Sequence, residues 1–152
     1  MKSYLEWEAT ILPQVKGDAL WRVEAYRLSL FVADLCWEDT TKILATEDAR
    51  RRGLADQLYR ATCSVGANIA EGFGRSSGKE KAHFYEYALG SARESRDWYH
   101  KVRHLLPESV HPHRTEQLTQ IIKLLIKSIP TTRTSTIKED IITYSIDTDP
   151  IP

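Results

Sequence analysis

Two pairs of polar residues in the middle of the sequence have side chains and a spacing that could do chemistry. Asn68 and Glu71 lie three positions apart in a run of small and apolar residues, and Ser91 and Glu94 repeat this spacing further along the chain. Carboxylates on facing helices could act as a general acid and base, whereas hydrogen bonds between the helices would satisfy the same four side chains. We favour the second interpretation, a structural polar network, and predict no catalytic residue.

Basic residues are concentrated in the middle of the chain, although the formal net charge of all 152 residues is zero. Positions 50 to 133 hold fifteen Lys and Arg residues and eight Asp and Glu residues, a surplus of seven positive charges. Four basic side chains in this part recur at the spacing of one helix face: Arg93, Arg96, His100 and Arg103. Such a basic stripe suits a polyanion, although nearby acids could instead pair with it on an ordinary solvated surface.

The segment from Gly74 to Lys79 contains glycines and a lysine but does not fit a nucleotide-binding P-loop. That motif would need a glycine at position 73 and a hydroxyl at position 80, where the sequence has Phe73 and Glu80. The first backbone amides of the helix that follows could still bind a phosphate oxygen. Together with the basic stripe, this predicts phosphate contacts with nucleic acid by five residues: Arg75, Lys79, Arg93, Arg96 and Arg103.

The histidines and cysteines do not have the pattern of a metal site. His100 and His104 lie one helical turn apart, but Lys101 follows His100 where a zinc-protease helix has a glutamate. Cys36 and Cys63 lie in helical patterns and are expected to be buried thiols rather than a disulfide. We expect no metal and no cofactor. Because no apolar run approaches the roughly 20 residues of a membrane span, we also expect a cytoplasmic protein without a membrane partner.

Helix-forming residues dominate, and strand-like alternation is absent before the C-terminal tail, which predicts an all-α fold. The periodicity predicts four helices, running from after an N-cap at Asp18 to about Leu44, from Gly53 to Phe73, from Lys79 to Leu106, and from Pro112 to just before Pro130. Short connections make successive helices antiparallel, so the predicted arrangement is an up-down four-helix bundle.

Local signals describe the turn between the second and third predicted helices. Gly72 and Gly74 are typical of a helix end with positive φ angles. Ser77 and Glu80 have the spacing of a capping box that starts the next helix. Gly90, which lies opposite Ala61 in an antiparallel register, is expected to let the second and third helices approach closely.

The chain divides into an N-terminal arm at 1–18, the bundle at 19–129, and a Ser/Thr-rich linker with an extended acidic tail at 130–152. The arm is expected to pack on the bundle or on a neighbour, and the tail to be disordered or to dock on a partner. Apolar residues surround so much of the fourth helix that one bundle face cannot cover them all. This predicts a contact with a second copy of the chain.

Several blocks of the sequence resemble a known family. They are Asp56-Gln57-Leu58, S-V-G-A-N-I-A-E-G at 64–72 with Gly74-Arg75, and Y-A-L-G-S-A-R-E at 87–94. In type and separation they look like those of the four-helix-bundle proteins of bacterial 23S ribosomal RNA intervening sequences, over about residues 20 to 129. The resemblance implies a cytoplasmic homopentamer without known catalysis. More remotely, it implies similarity to the accessory protein of diversity-generating retroelements, a pentameric bundle that binds nucleic acid and a reverse transcriptase.

The residues and the resemblance together favour a non-enzymatic homo-oligomer, pentameric by resemblance, that binds RNA or DNA through phosphates. The alternative is a protein-interaction scaffold or accessory subunit, with a reverse transcriptase or another protein as its partner. An enzyme would require Glu71 and Glu94 to meet in a pocket open to solvent.

Overall fold

Four long helices form the body of the protein in a computed structural model, which describes residues 3–45 and 48–135. The helices of these residues are α1 (Tyr4–Glu8), α2 (Pro13–Lys16), α3 (Glu24–Leu44), α4 (Ala49–Phe73), α5 (Gly78–Val102) and α6 (Val110–Thr134), with 3₁₀ turns at Ala19–Arg22 and Arg103–Leu105. Each of α3 to α6 packs against the next, and α3 also packs against α6, which closes an up-down bundle. The predicted all-α four-helix bundle is confirmed.

The core lies along the common axis of α3, α4, α5 and α6. Val32, Leu58, Tyr99 and Leu118, one from each of these helices, are completely buried. The burial of one apolar face on each helix supplies most of the stability of such bundles. None of the described helices is long and apolar enough to cross a lipid bilayer.

A side-chain cap begins the second long helix, whereas the first begins without one. The Asp18 carboxylate accepts a hydrogen bond of 2.8 Å from the amide of Leu20, but the helix that it caps is the first 3₁₀ turn. The chain then extends for one residue, and α3 begins at Glu24. Asp48 caps α4 in the same manner, so α4 begins at Ala49, four residues before the predicted start.

Ser77 caps the start of α5. Its hydroxyl oxygen accepts a hydrogen bond of 3.2 Å from the Glu80 amide. The Glu80 carboxylate accepts a bond of 2.9 Å from the Ser77 hydroxyl rather than from the Ser77 backbone amide, so the predicted capping box is half formed.

Gly72, near the α4–α5 turn, serves helix packing instead of a left-handed turn. No described glycine has a positive φ, and Gly74 has a φ of −76°, so the predicted left-handed caps are wrong. A Cβ atom on Gly72 would lie 2.8 Å from the Cβ of Phe84, so α5 can approach α4 here only because residue 72 is glycine. Gly90 faces open space, and the predicted close approach at Gly90 and Ala61 is not formed.

Helix α6 continues to Thr134, although the sequence predicted its end before Pro130. Proline lacks an N–H group and leaves the carbonyl four residues earlier, on Ile126, without its helical partner. Both residues lie on the solvent side of α6, where water can bind that carbonyl. The other large apolar side chains of α6 are mostly covered within the chain, because α6 packs against both α5 and α3. The large uncovered surface predicted for α6 is therefore reduced to Ile126, which is 50% exposed.

The segment before the bundle packs on α3 of its own chain. Trp7 is buried, and its indole N–H donates a hydrogen bond of 2.6 Å to Asp34. The rings of Tyr4, Phe31 and Trp21 lie around it, with centroids at 5.5, 5.3 and 6.3 Å. At the other end of the chain, the first part of the predicted linker is the last turn of α6, and the predicted acidic tail lies outside the described residues.

Candidate nucleic-acid interface

The basic stripe of α5 lies beside the first turns of α6. Helix α6 runs back along α5 and brings two of its residues beside the stripe. Together the two helices form a groove of about 350 Å³, which is lined by Arg93, Arg96, Asp97, His100, His111 and Thr115. The stripe is predictable from residue spacing on α5, whereas the contribution of α6 is not.

Positive charge dominates this α5–α6 groove. The side chain of Arg93 is exposed, and no described residue forms an ion pair or hydrogen bond with it. Arg96 is half-buried and donates a hydrogen bond of 3.3 Å to the Thr119 hydroxyl. Asp97, the one acid among the lining residues, binds the Lys101 ammonium at 2.5 Å. Within the described chain, the two guanidinium charges are therefore not neutralised by a carboxylate.

Two histidines face each other across the groove. The ring centroids of His100 and His111 lie 5.3 Å apart. Burial, and then the neighbouring His100 and Arg103, lower the pKa of His111 below its ordinary value. The neutral form of the His111 ring is therefore favoured, and an anion in the groove would favour its protonation. The described residues contain no group of three or more metal-ligating side chains.

The five residues predicted to bind phosphate form two separate groups. Arg93, Arg96 and Arg103 lie near the C-terminal end of α5, where Arg103 donates a hydrogen bond of 2.6 Å to the carbonyl of His100. Lys79 lies in the first turn of α5, about 21 Å from Arg93 along the helix axis. Of the larger group, Arg93 and Arg96 line the groove.

Arg75, the other residue of the second group, already has partners. Its guanidinium pairs with Glu71 one turn earlier on α4 and lies 4.5 Å from the centroid of the Phe84 ring. Its charge is consequently less available to a phosphate than that of Lys79, which is exposed and has no partner among the described residues.

The four residues of the predicted polar network are not brought together within the described chain. The Asn68 amide donates to the carbonyl of Ser64 at 2.8 Å, and the Glu94 carboxylate accepts from the indole of Trp98 at 3.3 Å. Like the contact between Glu71 and Arg75, these bonds stay within one helix. The predicted interhelical network is therefore not formed within the described chain.

The positions that face neighbouring helices explain why the network does not form. Apolar residues occupy them, among them Val65 and Ile69 on α4 and Ala88 and Ala92 on α5, all of which are buried. Glu71 and Glu94 are both exposed instead, and Ser91 is half-buried. These polar residues lie at the edge of a narrow apolar stripe. A small error in the helix phase inferred from the sequence is enough to predict that they face the core.

The buried polar group of the bundle is a different one, which the sequence analysis missed. Asp39 and Arg114 are almost completely buried, and the Arg114 guanidinium binds the Asp39 carboxylate with distances of 2.8 and 3.2 Å. The Tyr99 hydroxyl donates a third bond of 3.1 Å to the same carboxylate. A signal was available, since Asp39 lies four positions after Leu35 and three after Cys36 on the buried face of α3.

Two groups beside this ion pair are weak acids in the folded protein. Burial raises the pKa of the Cys36 thiol to about 11. Burial also raises the pKa of Tyr99 well above its ordinary value. Neither side chain ionises near neutral pH, so neither Cys36 nor Tyr99 provides an anionic nucleophile.

The opposite side of the bundle carries exposed aromatic surface. Trp37 on α3 is 63% exposed, and its ring centroid lies 5.8 Å from that of Tyr59 on α4. Since the helices are arranged in the order α3, α4, α5 and α6 around the bundle, the α3–α4 face lies opposite the α5–α6 groove. The sequence analysis did not single out this aromatic pair.

Comparison with known proteins decides the family. A family model described as 23S rRNA-intervening sequence protein matches residues 22–130. The chain belongs to this family. The match spans α3, α4, α5 and most of α6, so it confirms the resemblance that the sequence blocks on α4 and α5 indicated. No curated protein matches the chain.

A solved structure supports the architecture of this intervening-sequence protein. The chain is similar to the crystal structure of a protein of unknown function from the S23 ribosomal protein family of Bacteroides thetaiotaomicron, with a TM-score of 0.63 and 23% sequence identity. The similarity covers 69% of this chain and 97% of that chain. At this identity the similarity establishes the fold alone. The more remote link to retroelement accessory proteins is not shown by these comparisons and stays a prediction.

Proposed function

We propose that this intervening-sequence protein is a non-enzymatic homo-oligomer, a pentamer, that binds nucleic acid through phosphate groups. RNA is the nucleic acid that we expect it to bind. The observation that carries the proposal is the α5–α6 groove, where Arg93 and Arg96 have no carboxylate partner among the described residues. Guanidinium groups bind phosphate oxygens strongly and in a bidentate manner. Contacts of this kind position a nucleic-acid strand without reading its bases.

Exposed aromatic surface on the α3–α4 face supports the oligomeric part of the proposal. An exposed aromatic pair such as Trp37 and Tyr59 is typical of a contact between proteins. Copies that meet through this face leave the α5–α6 groove of each copy accessible, because the groove lies on the opposite side of the bundle. Several grooves on one assembly would then bind one strand more tightly than a single groove does.

The test is the salt dependence of RNA binding, measured by fluorescence anisotropy with a structured RNA. We expect affinity to fall steeply between low and physiological salt, because phosphate contacts release counterions. Arg93→Glu and Arg96→Glu should each abolish binding. Arg52→Glu is the matched control, since it makes the same charge change on an exposed residue of α4 outside the groove.

Two results would contradict the proposal. Absence of measurable binding at low salt would exclude nucleic acid as the ligand. An equal loss of affinity in the Arg52→Glu control would assign binding to overall charge and remove the groove from the interface.

The alternative function is a scaffold or accessory subunit that binds a protein partner, a reverse transcriptase among the candidates. The specific observation in its favour is the 63% exposure of Trp37. Removing residues 136–152 leaves α6 intact, because the helix ends at Thr134. Loss of assembly or of partner binding in this truncated protein, with nucleic-acid affinity unchanged, would favour the scaffold.

A further inference from the structure

The α5–α6 groove contains more hydrogen-bond donors than a strand backbone needs. Besides Arg93 and Arg96, the facing imidazoles of His100 and His111 line it. Thr115 also lines the groove, but its hydroxyl is shielded from solvent and is not presented to a ligand there. Four donor-bearing side chains thus converge on one groove.

We infer that this groove binds a terminal phosphate, that is a phosphate monoester, in preference to the phosphodiesters of a strand backbone. The inference rests on the proposed function, since it names the part of the nucleic acid that enters the groove. A monoester presents three free oxygens and close to two negative charges near neutral pH, whereas a diester presents two free oxygens and one charge. The number and charge of the converging donors match the monoester better.

The charged groups around the histidine pair are compatible with a dianion. From α5 and the 3₁₀ turn that follows it, Arg93, Arg96, Asp97 and Arg103 lie near the two imidazoles, and Asp97 is already bound to Lys101. From α6, the groove receives the His111 ring and the uncharged Thr115 side chain. The one carboxylate among the lining residues is thus offset by the Lys101 ammonium.

Phosphate binding should be coupled to proton uptake in the groove. Burial, and then His100 and Arg103, lower the pKa of His111, and a bound dianion would raise it. Affinity for a monoester is therefore expected to rise as the pH falls from about 8 towards about 6, below which the monoester itself takes up a proton. A phosphodiester has no second ionisation in this range, so its affinity should change less.

The experiment uses the full chain and one short RNA with an internal fluorophore, prepared with a 5′-phosphate, with a 3′-phosphate or with neither. Anisotropy titrations at low salt should show about tenfold tighter binding of one phosphorylated form near pH 6.5, as expected for added charge-assisted hydrogen bonds. This preference should shrink towards about pH 8. A nucleoside monophosphate is added as competitor, because strong competition would identify a free monoester as the ligand and weak competition a strand end.

Matched variants separate the groove from general basicity. His100→Gln with His111→Gln should remove the pH dependence of the preference, whereas His104→Gln, an exposed histidine of the 3₁₀ turn, should retain it.

The outcomes distinguish this inference from the proposed function. Equal affinity for all three RNAs at every pH would overturn the terminal-phosphate site and leave phosphate-dependent RNA binding intact. Absence of binding to any of them would overturn both. A preference whose pH dependence survives the double histidine variant would place the terminal phosphate outside the groove.

Discussion

The guanidinium of Arg114 and the carboxylate of Asp39 form a two-point ion pair inside the bundle, with Nε–Oδ2 and Nη2–Oδ1 distances of 2.8 and 3.2 Å. Tyr99 adds a third bond, so α3, α5 and α6 meet at one carboxylate. Apolar contacts tolerate small shifts of one helix along another, whereas these bonds form only at one register. Our hypothesis is that the pair determines how the three helices align.

Breaking the ion pair should be costly. We expect Asp39→Ala to lower the free energy of unfolding by about 3–5 kcal/mol, because the Arg114 charge stays buried without its carboxylate. The measurement is urea unfolding followed by circular dichroism. The double variant Asp39→Leu with Arg114→Met removes both charges and should recover most of the loss. A loss below about 1 kcal/mol in the single variant would show that the pair is unimportant for stability.

Two glycines offer a matched pair of substitutions with opposite signs. Gly72→Ala should destabilise the protein by about 1–3 kcal/mol, since its Cβ would lie 2.8 Å from the Cβ of Phe84 and 3.1 Å from the Lys81 carbonyl oxygen. Gly90→Ala should stabilise it by about 0.5–1 kcal/mol, because its Cβ meets open space on a helix. Chemical unfolding measures both. Destabilisation by Gly90→Ala would instead show that another copy of the chain packs at that position.

The two thiols should differ in reactivity. Burial raises the pKa of Cys36 to about 11 and also raises that of Cys63, which is only partly buried. The thiolate is the reactive form, so at about pH 8 a thiol reagent should modify Cys63 first and Cys36 at the rate of unfolding. The absorbance of the chromophore that the reagent releases measures both steps. A Cys63→Ala variant isolates Cys36, and its rapid labelling in the native protein would contradict the buried position.

The N-terminal arm should contribute measurably through Trp7. Trp7→Phe keeps an aromatic ring but loses the hydrogen bond of 2.6 Å to Asp34, which should lower stability by about 1 kcal/mol. A double-mutant cycle with Asp34→Ala isolates this bond, because both single variants remove it. A coupling energy near zero would mean that the arm is held by ring contacts alone.

Mild acid should destabilise the bundle through His113. Burial, and then Arg114, lower the pKa of His113 in the folded chain, although Asp39 raises it. The unfolded chain therefore binds more protons around and below the ordinary histidine pKa of about 6.5, and stability falls as the pH falls through that range. Melting temperatures between about pH 7.5 and pH 5.5 test this sign, and His113→Gln should reduce the difference. An unchanged difference would assign the acid sensitivity to other groups.

Periodic patterns made most of the fold predictable. The apolar spacing located all four long helices, and the short connections gave their antiparallel order. The exact ends of the helices were less predictable from the sequence. Pro130 reads as a helix stop, yet α6 passes through it because the carbonyl that loses its partner lies on the solvent side. Gly72 reads as a left-handed cap, whereas its role depends on a neighbour in α5.

The candidate site was predictable only on its α5 side. The spacing of Arg93, Arg96 and His100 identifies one face of α5 without any knowledge of the neighbours. His111 and Thr115 join them because α6 returns along α5, which is a relation between distant residues. The spacing of Asn68 and Glu71 predicted a polar network that the described chain does not form. Helix phase alone does not show which edge of an apolar stripe is covered by a neighbouring helix.

By itself the sequence determined the helical class, the bundle topology, the family blocks and the basic stripe, because these depend on local spacing along one helix. Only the tertiary structure decided which polar groups meet, namely Asp39 with Arg114 in the core and His100 with His111 in the groove. Pairs of this kind depend on how far each helix is rotated and shifted against its neighbours. The packing of many apolar side chains sets that rotation and shift together, and spacing along one helix does not contain it.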